Sequence, residues 1–183
     1  MTAAAFPRIR LALTGVVTLA YWALLAWQYV HDGVPRHHLL ARADLPSFSN
    51  WWGAVTVPAL VWFLTGRVQL RLAAARSAGG ADDILRVAGF AFAGAALYGA
   101  ALAGAFLLGR EEVSGVLFQA IPLLGLLLPI YRAEYVLGFA LGLTYAFGPV
   151  LPVIIASVLA LVSLVLHLTV RRALTWAVAR ARR

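Results

Sequence analysis

Long apolar runs, separated by short polar segments, make up most of the chain. A membrane hydrocarbon core about 30 Å thick is crossed by roughly 20 apolar residues in a helix, and runs near that length recur along the sequence. We therefore predict an all-α, polytopic membrane protein: one integral membrane domain, 1–183, built as a compact bundle of six transmembrane helices. The predicted spans are 9–30, 50–66, 84–109, 113–130, 133–147 and 150–170.

Arginine is unevenly distributed among the segments that flank these spans. When arginines at the span ends are counted with the flanking segments, twelve of the 15 lie at the N-terminus, in the second and fourth connections, or in the basic tail 171–183, and three lie in the first and third connections. Because arginine-rich segments stay on the cytoplasmic side, we predict that both termini are cytoplasmic and that the loop 31–49 lies outside. The chain is then a multi-pass protein of the inner (plasma) membrane, with its arginine-rich ends at anionic lipids of the bilayer.

The composition excludes several kinds of chemistry. Hydrophobic residues make up 63% and charged residues 12% of the chain, against about 45–50% and about 25% in soluble domains. The absence of cysteine excludes iron–sulfur clusters and thiolate zinc sites. The absence of lysine excludes covalently bound retinal or pyridoxal phosphate. Since the arginines follow the membrane pattern, no nucleic-acid partner is predicted.

Small residues recur at four-residue spacing in the third and fifth spans, where they would let helix backbones approach closely. They are Gly138 and Gly142 in the fifth span and, in the third, Ala91, Ala95, Gly99 and Ala103. Two readings stay open: packing within one compact bundle, or the seam of a homodimer.

Prolines interrupt the second and fourth spans at Pro58, Pro122 and Pro129. Such breaks free backbone carbonyls, which in transporters line a cavity. No aspartate or glutamate falls at the middle of a span, which argues against a proton-relay pump. Glu134 is expected at the end of the fourth–fifth hairpin, within reach of headgroups and water.

Polar and ionisable residues are concentrated in the first connection and the start of the second span, which read HDGVPRHHLLARADLPSFSNWWG. Three of the four histidines lie here, on the predicted outer face. We predict a protein that binds or transports a small solute through an outward-facing cavity with the 31–49 loop as its lid. The predicted ligand-binding residues are Trp27, His37, His38, Asn50, Trp51 and Trp52.

Other readings of the same residues stay open. Two imidazoles and a carboxylate could bind zinc or another divalent metal and activate water, as in a metal-dependent membrane enzyme. The candidate metal ligands are His31, Asp32, His37, His38, Asp44, Glu111 and Glu112. Alternatively, the histidines titrate and gate a cavity, or they are interfacial anchors. A non-catalytic membrane partner subunit is a further alternative for the chain as a whole.

Overall fold

The computed structural model describes residues 5–38, 44, 46–76 and 79–181 of the chain, without the side chains of 171–179 and 181. Part of the predicted outer loop, including Arg42, lies outside the described residues, as do Arg182 and Arg183 of the basic tail. The side chains of Arg171, Arg172 and Trp176 lie outside them as well.

The described chain is an all-α helical bundle, as predicted, with one short β-ribbon between its first two helices. The helices are α1 (Phe6–His31), α2 (Gly53–Arg76), α3 (Ala81–Leu107), α4 (Glu111–Leu127), α5 (Ala133–Phe147) and α6 (Val150–Ala181). The ribbon consists of β1 (Arg36–His38) and β2 (Ser47–Ser49), and a 3₁₀ turn (Asn50–Trp52) leads into α2.

Four helical segments of the described chain are long and apolar enough to cross a membrane. They are α1, the 3₁₀ turn with α2 (Asn50–Arg76), α3, and the first part of α6 (Val150–Val170). The shorter α5 is also apolar, and α4 has 17 residues.

The observed end of α4 differs from the predicted one. The apolar pattern predicts a helix to residue 130, but α4 ends at Leu127. Leu128 is extended, with φ −113° and ψ 146°, because the ring of Pro129 disfavours helical dihedrals in the preceding residue. The helix therefore stops before the apolar run does.

The centre of the bundle is the contact between α3 and α5, which packs backbone against backbone. A Cβ on Gly138 would lie 2.3 Å from the carbonyl oxygen of Phe92, and one on Gly142 would lie 2.4 Å from that of Ala96. Gly99 meets α5 in the same way, with a hypothetical Cβ 2.7 Å from the carbonyl of Phe139. Gly99, Gly138 and Gly142 are thus used in packing within one chain.

The other helices surround this pair. α2 packs on α1 and α5, α6 packs on α5, and α4 contacts α3 and α6. The main cluster of buried apolar side chains joins α2, α5 and α6 through Val61, Val136, Leu137, Ala140 and Ala156. Because α4 makes little contact with α5, space is left between α3, α4, α5 and α6.

The proline inside α2 forms part of the contact with α1. Pro58 has no N–H to donate to the carbonyl of Ala54, one helical turn earlier. The indole Nε1 of Trp22, on α1, donates to that oxygen at 3.0 Å. A carbonyl that the sequence left without a partner is therefore satisfied by the neighbouring helix.

Two carbonyls of α4 are satisfied in a similar way. Pro129 has no N–H for the carbonyl of Gly125, which instead accepts a hydrogen bond at 2.9 Å from the buried Ser163 hydroxyl of α6. In the turn before the proline inside α4, the Leu117 carbonyl accepts from the Tyr98 hydroxyl of α3 at 2.5 Å. The first bond replaces a backbone donor that proline lacks, and both bonds join α4 to neighbouring helices.

One end of the bundle, which we call the arginine end, contains the start of α1, the α2–α3 connection and the α4–α5 connection. Here Arg71 of α2 donates to both carboxylate oxygens of Glu134 on α5, at 2.7 and 2.8 Å. Glu134 is only 3% exposed. The expectation that Glu134 faces headgroups and water is therefore wrong, because the packing of α2 against α5 covers it.

A second arginine at this end joins α1 to α2. The guanidinium carbon of Arg10 lies 3.6 Å from the ring centroid of Trp62, within the range of a cation–π contact. Its Nη2 donates to the Trp62 carbonyl at 2.8 Å, and its Nη1 donates to Gln69 at 3.1 Å. Gly66 leaves room for this group, since a Cβ there would lie 2.8 Å from Nη2.

Candidate functional site

The opposite end of the bundle, the ribbon end, carries the predicted ligand-binding histidines. β1 and β2 are antiparallel, with His37 opposite Phe48 and His38 opposite Ser47. Neighbouring strand residues point to opposite faces. His37 is accordingly partly buried, whereas His38 is exposed.

His37 and Asn50 meet at Gly148, in the turn between α5 and α6. Gly148 has φ +70°, and a Cβ on it would lie 2.6 Å from Asn50 Oδ1 and 2.7 Å from His37 Cδ2. The position therefore requires glycine both for its backbone conformation and for the approach of the two side chains. This contact closes the ribbon onto the end of the bundle.

The environment of these two residues is dry and tightly packed. Asn50 is 6% exposed, and its backbone carbonyl accepts a hydrogen bond at 3.0 Å from the Tyr21 hydroxyl. Its side-chain Oδ1 has no hydrogen-bond partner among the described residues. Burial lowers the pKa of His37 below its ordinary value of 6.5, because desolvation disfavours the imidazolium form.

Little space remains between the ribbon and the α5–α6 turn. The gap lined by His37, His38, Asn50 and Gly148 measures about 10 Å³, which is close to the minimum for one water molecule. Trp27, Trp51 and Trp52 do not line it, and their side chains are 57%, 52% and 63% exposed. The structure brings together the histidines and the asparagine of the predicted ligand site, but not its tryptophans.

The candidate metal ligands are spread over this end of the molecule. His31 stacks on Trp27, with ring centroids 4.7 Å apart, and its Nδ1 lies 2.9 Å from the Trp27 carbonyl oxygen. Glu111 and Glu112 are exposed in the first turn of α4. Asp32 caps the end of α1, and Asp44 is exposed. Within the described part of the chain, no group of three His, Asp or Glu residues could hold a metal ion.

A larger cavity lies elsewhere, in the space that α4 leaves beside α5. It measures about 500 Å³, within the range of small-molecule sites. Buried Ile121, Val136 and Ala156 form its inner wall, while Val87 and Phe90 on α3 are 53% and 74% exposed at its mouth. The cavity therefore opens sideways from the bundle, between α3 and the end of α4.

This cavity is lined almost entirely by hydrocarbon. Tyr98 and Tyr135 are the only lining residues with a polar side-chain group, and the Tyr98 hydroxyl already donates to the Leu117 carbonyl. No charged side chain of the described residues lines it. It can hold an apolar group, and no carboxylate or imidazole of the described residues lines it.

Sequence reasoning missed this site, although one signal for it was present. Ala91 and Ala95 on α3, and Ala156 and Ala160 on α6, are pairs at four-residue spacing that face the same space. Small residues on facing helices can indicate a gap as well as a close contact.

No protein family, curated protein or solved structure matches the chain.

Proposed function

We propose that this chain is a six-span protein of the inner (plasma) membrane that binds the hydrocarbon chain of a lipid in the cavity between α3, α4, α5 and α6. Both termini and the arginine end are on the cytoplasmic side in this proposal, following the distribution of arginine. The short α4 and α5 then cross with the local bilayer thinned around them, at a modest energetic cost.

The observation that carries the proposal is the position and lining of the 500 Å³ cavity. Its mouth is flanked by the exposed apolar residues Val87, Phe90 and Leu128. On a membrane-spanning bundle such residues face lipid, so the cavity is continuous with the acyl-chain region. A hydrocarbon chain is the occupant that can reach this space without passing through water.

The geometry favours this function over entry of a solute at the ribbon end. There the ribbon is closed on Gly148, and the remaining gap of about 10 Å³ has no room for a solute. The metal-dependent enzyme gains no support either, because the described candidate ligands do not converge. Lipid binding uses the cavity of about 500 Å³, whose lining is almost entirely apolar.

The test is photo-crosslinking with a fatty acid that carries a diazirine in the middle of its chain. Purified protein in detergent is labelled and the modified peptides are mapped by mass spectrometry. Labelling is expected on cavity residues, including the segments around Tyr98, Ile121 and Phe139. Labelling confined to the outer faces of α1 and α2 would contradict the proposal.

A matched pair of variants separates cavity filling from general effects. Gly94 lines the cavity, and a Cβ there meets nothing within 4 Å. The side chain of Gly94→Phe therefore starts from open space and is expected to fill part of the cavity. It should reduce cavity labelling by about tenfold, since each 1.4 kcal/mol of lost affinity is a factor of ten. Gly89→Phe is the control, because Gly89 is equally open but does not line the cavity.

A further inference from the structure

A second cavity, at the arginine end, has a different chemistry. It measures about 320 Å³ and lies between the α4–α5 connection and α6. Its lining residues are Leu126, Pro129, Tyr131, Arg132, Leu166, His167 and Val170. The two cavities share no lining residue, so they are treated as two separate sites.

The polar groups of this cavity are donors suited to an anion. Arg132 supplies a guanidinium, which pairs with phosphate through a fork of N–H groups. Tyr131 lies edge-on to His167, with ring centroids 5.4 Å apart. His167 Nδ1 is buried and has no hydrogen-bond partner among the described residues.

The surrounding charges also favour an anion. No aspartate or glutamate of the described chain lines the cavity. Glu134 is the nearest acid in sequence to Arg132, and its carboxylate is held by Arg71 at 2.7 Å. Helix α5 begins at Ala133 without a side-chain cap, so the partial positive charge of its N-terminus adds to that of Arg132.

We propose that Arg132 and His167 bind a phosphate group in this cavity. In the binding state the guanidinium donates to two phosphate oxygens, and a ring N–H of His167 donates to a third. The phosphate can belong to the headgroup of an anionic phospholipid or be free phosphate. The site does not depend on what occupies the apolar cavity.

Native mass spectrometry of the detergent-solubilised protein tests the site. Dioleoyl phosphatidylglycerol, dioleoyl phosphatidylcholine and inorganic phosphate are titrated separately. An adduct of phosphatidylglycerol that exceeds that of phosphatidylcholine is expected for a lipid headgroup, and saturable binding of inorganic phosphate alone is expected for the free anion. Equal binding of the two lipids without phosphate binding would overturn the proposal.

Substitutions at Arg132 and His167 test whether the phosphate binds in this cavity. Arg132→Gln and His167→Leu should each weaken the adduct by about tenfold or more, as expected for loss of hydrogen bonds to a charged group. Arg132→Lys should restore part of it, which a merely structural role would not predict. Arg67→Gln removes an exposed arginine of α2 that does not line the cavity and should have no effect. Binding of the phosphate-containing ligand to Arg132→Gln with wild-type affinity would contradict the proposal.

The crosslinking experiment on the apolar cavity keeps the two proposals apart. Arg132→Gln should leave labelling around Tyr98 and Phe139 unchanged, and Gly94→Phe should leave the phosphate adduct unchanged. A failure of either proposal is thus visible without a failure of the other.

Discussion

Arg71 on α2 and Glu134 on α5 form an ion pair in which one guanidinium nitrogen donates to both carboxylate oxygens, at 2.7 and 2.8 Å. The two partners differ in burial: Glu134 is 3% exposed, whereas Arg71 is 34% exposed. The carboxylate therefore depends on its partner for solvation. The guanidinium can turn to water if the carboxylate is removed.

The asymmetry predicts unequal effects of removing either partner. Arg71→Met leaves a buried carboxylate without a counter-charge and should lower the free energy of unfolding by about 3 kcal/mol. Glu134→Gln leaves an arginine with access to solvent and should cost about 1 kcal/mol. The measurement is unfolding of the purified protein by titration with SDS, followed by circular dichroism.

The double variant Arg71→Met/Glu134→Met replaces the ion pair by two apolar side chains. It should be more stable than Arg71→Met alone, because an apolar pair removes the uncompensated charge. Arg67→Met, on the exposed face of the same helix, controls for loss of an arginine. Equal destabilisation by the two single substitutions would show that burial of the carboxylate does not decide the energetics.

The hydrogen bond from Trp22 to the Ala54 carbonyl predicts a coupling with Pro58. Trp22→Phe removes the donor and should destabilise the protein by about 1 kcal/mol. In a Pro58→Ala background the new N–H of residue 58 can bond the same carbonyl within the helix. Trp22→Phe should then cost measurably less.

A double-mutant cycle on thermal unfolding measures this coupling. Trp52→Phe is the control, since the Trp52 side chain is 63% exposed and lies on the ribbon side of α2. Additive effects of Trp22→Phe and Pro58→Ala would contradict the idea that the indole replaces the missing backbone donor.

The helices of this protein were largely predictable from its sequence, whereas the contacts between them were not. Helix α5 has the predicted bounds, 133–147, because Gly148 and Pro149 mark its end. The stacking of His31 on Trp27 follows from their four-residue spacing in α1. By contrast, Glu134 meets a partner 63 residues away, and no local pattern shows which helices become neighbours.

For the candidate sites, too, the sequence predicts which residues lie on each element but not how the elements meet. The sequence placed His37 and Asn50 at one end of the bundle, but their meeting at Gly148 depends on how the ribbon folds back. The apolar cavity exists because α4 lies apart from α5. Its lining comes from four helices, each with an ordinary apolar sequence, so nothing in one segment could reveal it.

The glycine contacts of α3 and α5 predict a sharp position dependence of alanine substitution. Gly142→Ala places a Cβ 2.4 Å from the Ala96 carbonyl oxygen, so the two helices must separate. The expected loss of stability is about 2–3 kcal/mol, comparable to overpacking of a core. The measurement is the thermal unfolding midpoint of the purified protein.

Gly89→Ala is the matched control on α3. A Cβ on Gly89 meets nothing within 4 Å, and alanine favours a helix over glycine by up to about 1 kcal/mol. This variant should be neutral or stabilised. Equal destabilisation by the two substitutions would argue against close packing of α3 on α5.

The burial of His37 predicts that the ribbon end loses stability in mild acid. The pKa of His37 is lowered from 6.5 by desolvation, so below pH 6.5 the unfolded chain binds a proton that the folded chain resists. Stability attributable to His37 is therefore complete above that value and declines as the pH falls toward the lowered pKa. Thermal unfolding midpoints measured from about pH 7.5 to about pH 5.5 should decrease for the wild type.

The His37→Gln variant should flatten this pH profile, since its side chain does not titrate. His31→Gln is the control, because His31 stacks on Trp27 rather than facing Gly148, and it should keep the wild-type slope. Hydrogen exchange of the β1 and β2 amides adds a local readout, which should speed up in acid only when His37 is present. An unchanged slope in His37→Gln would show that protonation of this imidazole does not loosen the ribbon from the α5–α6 turn.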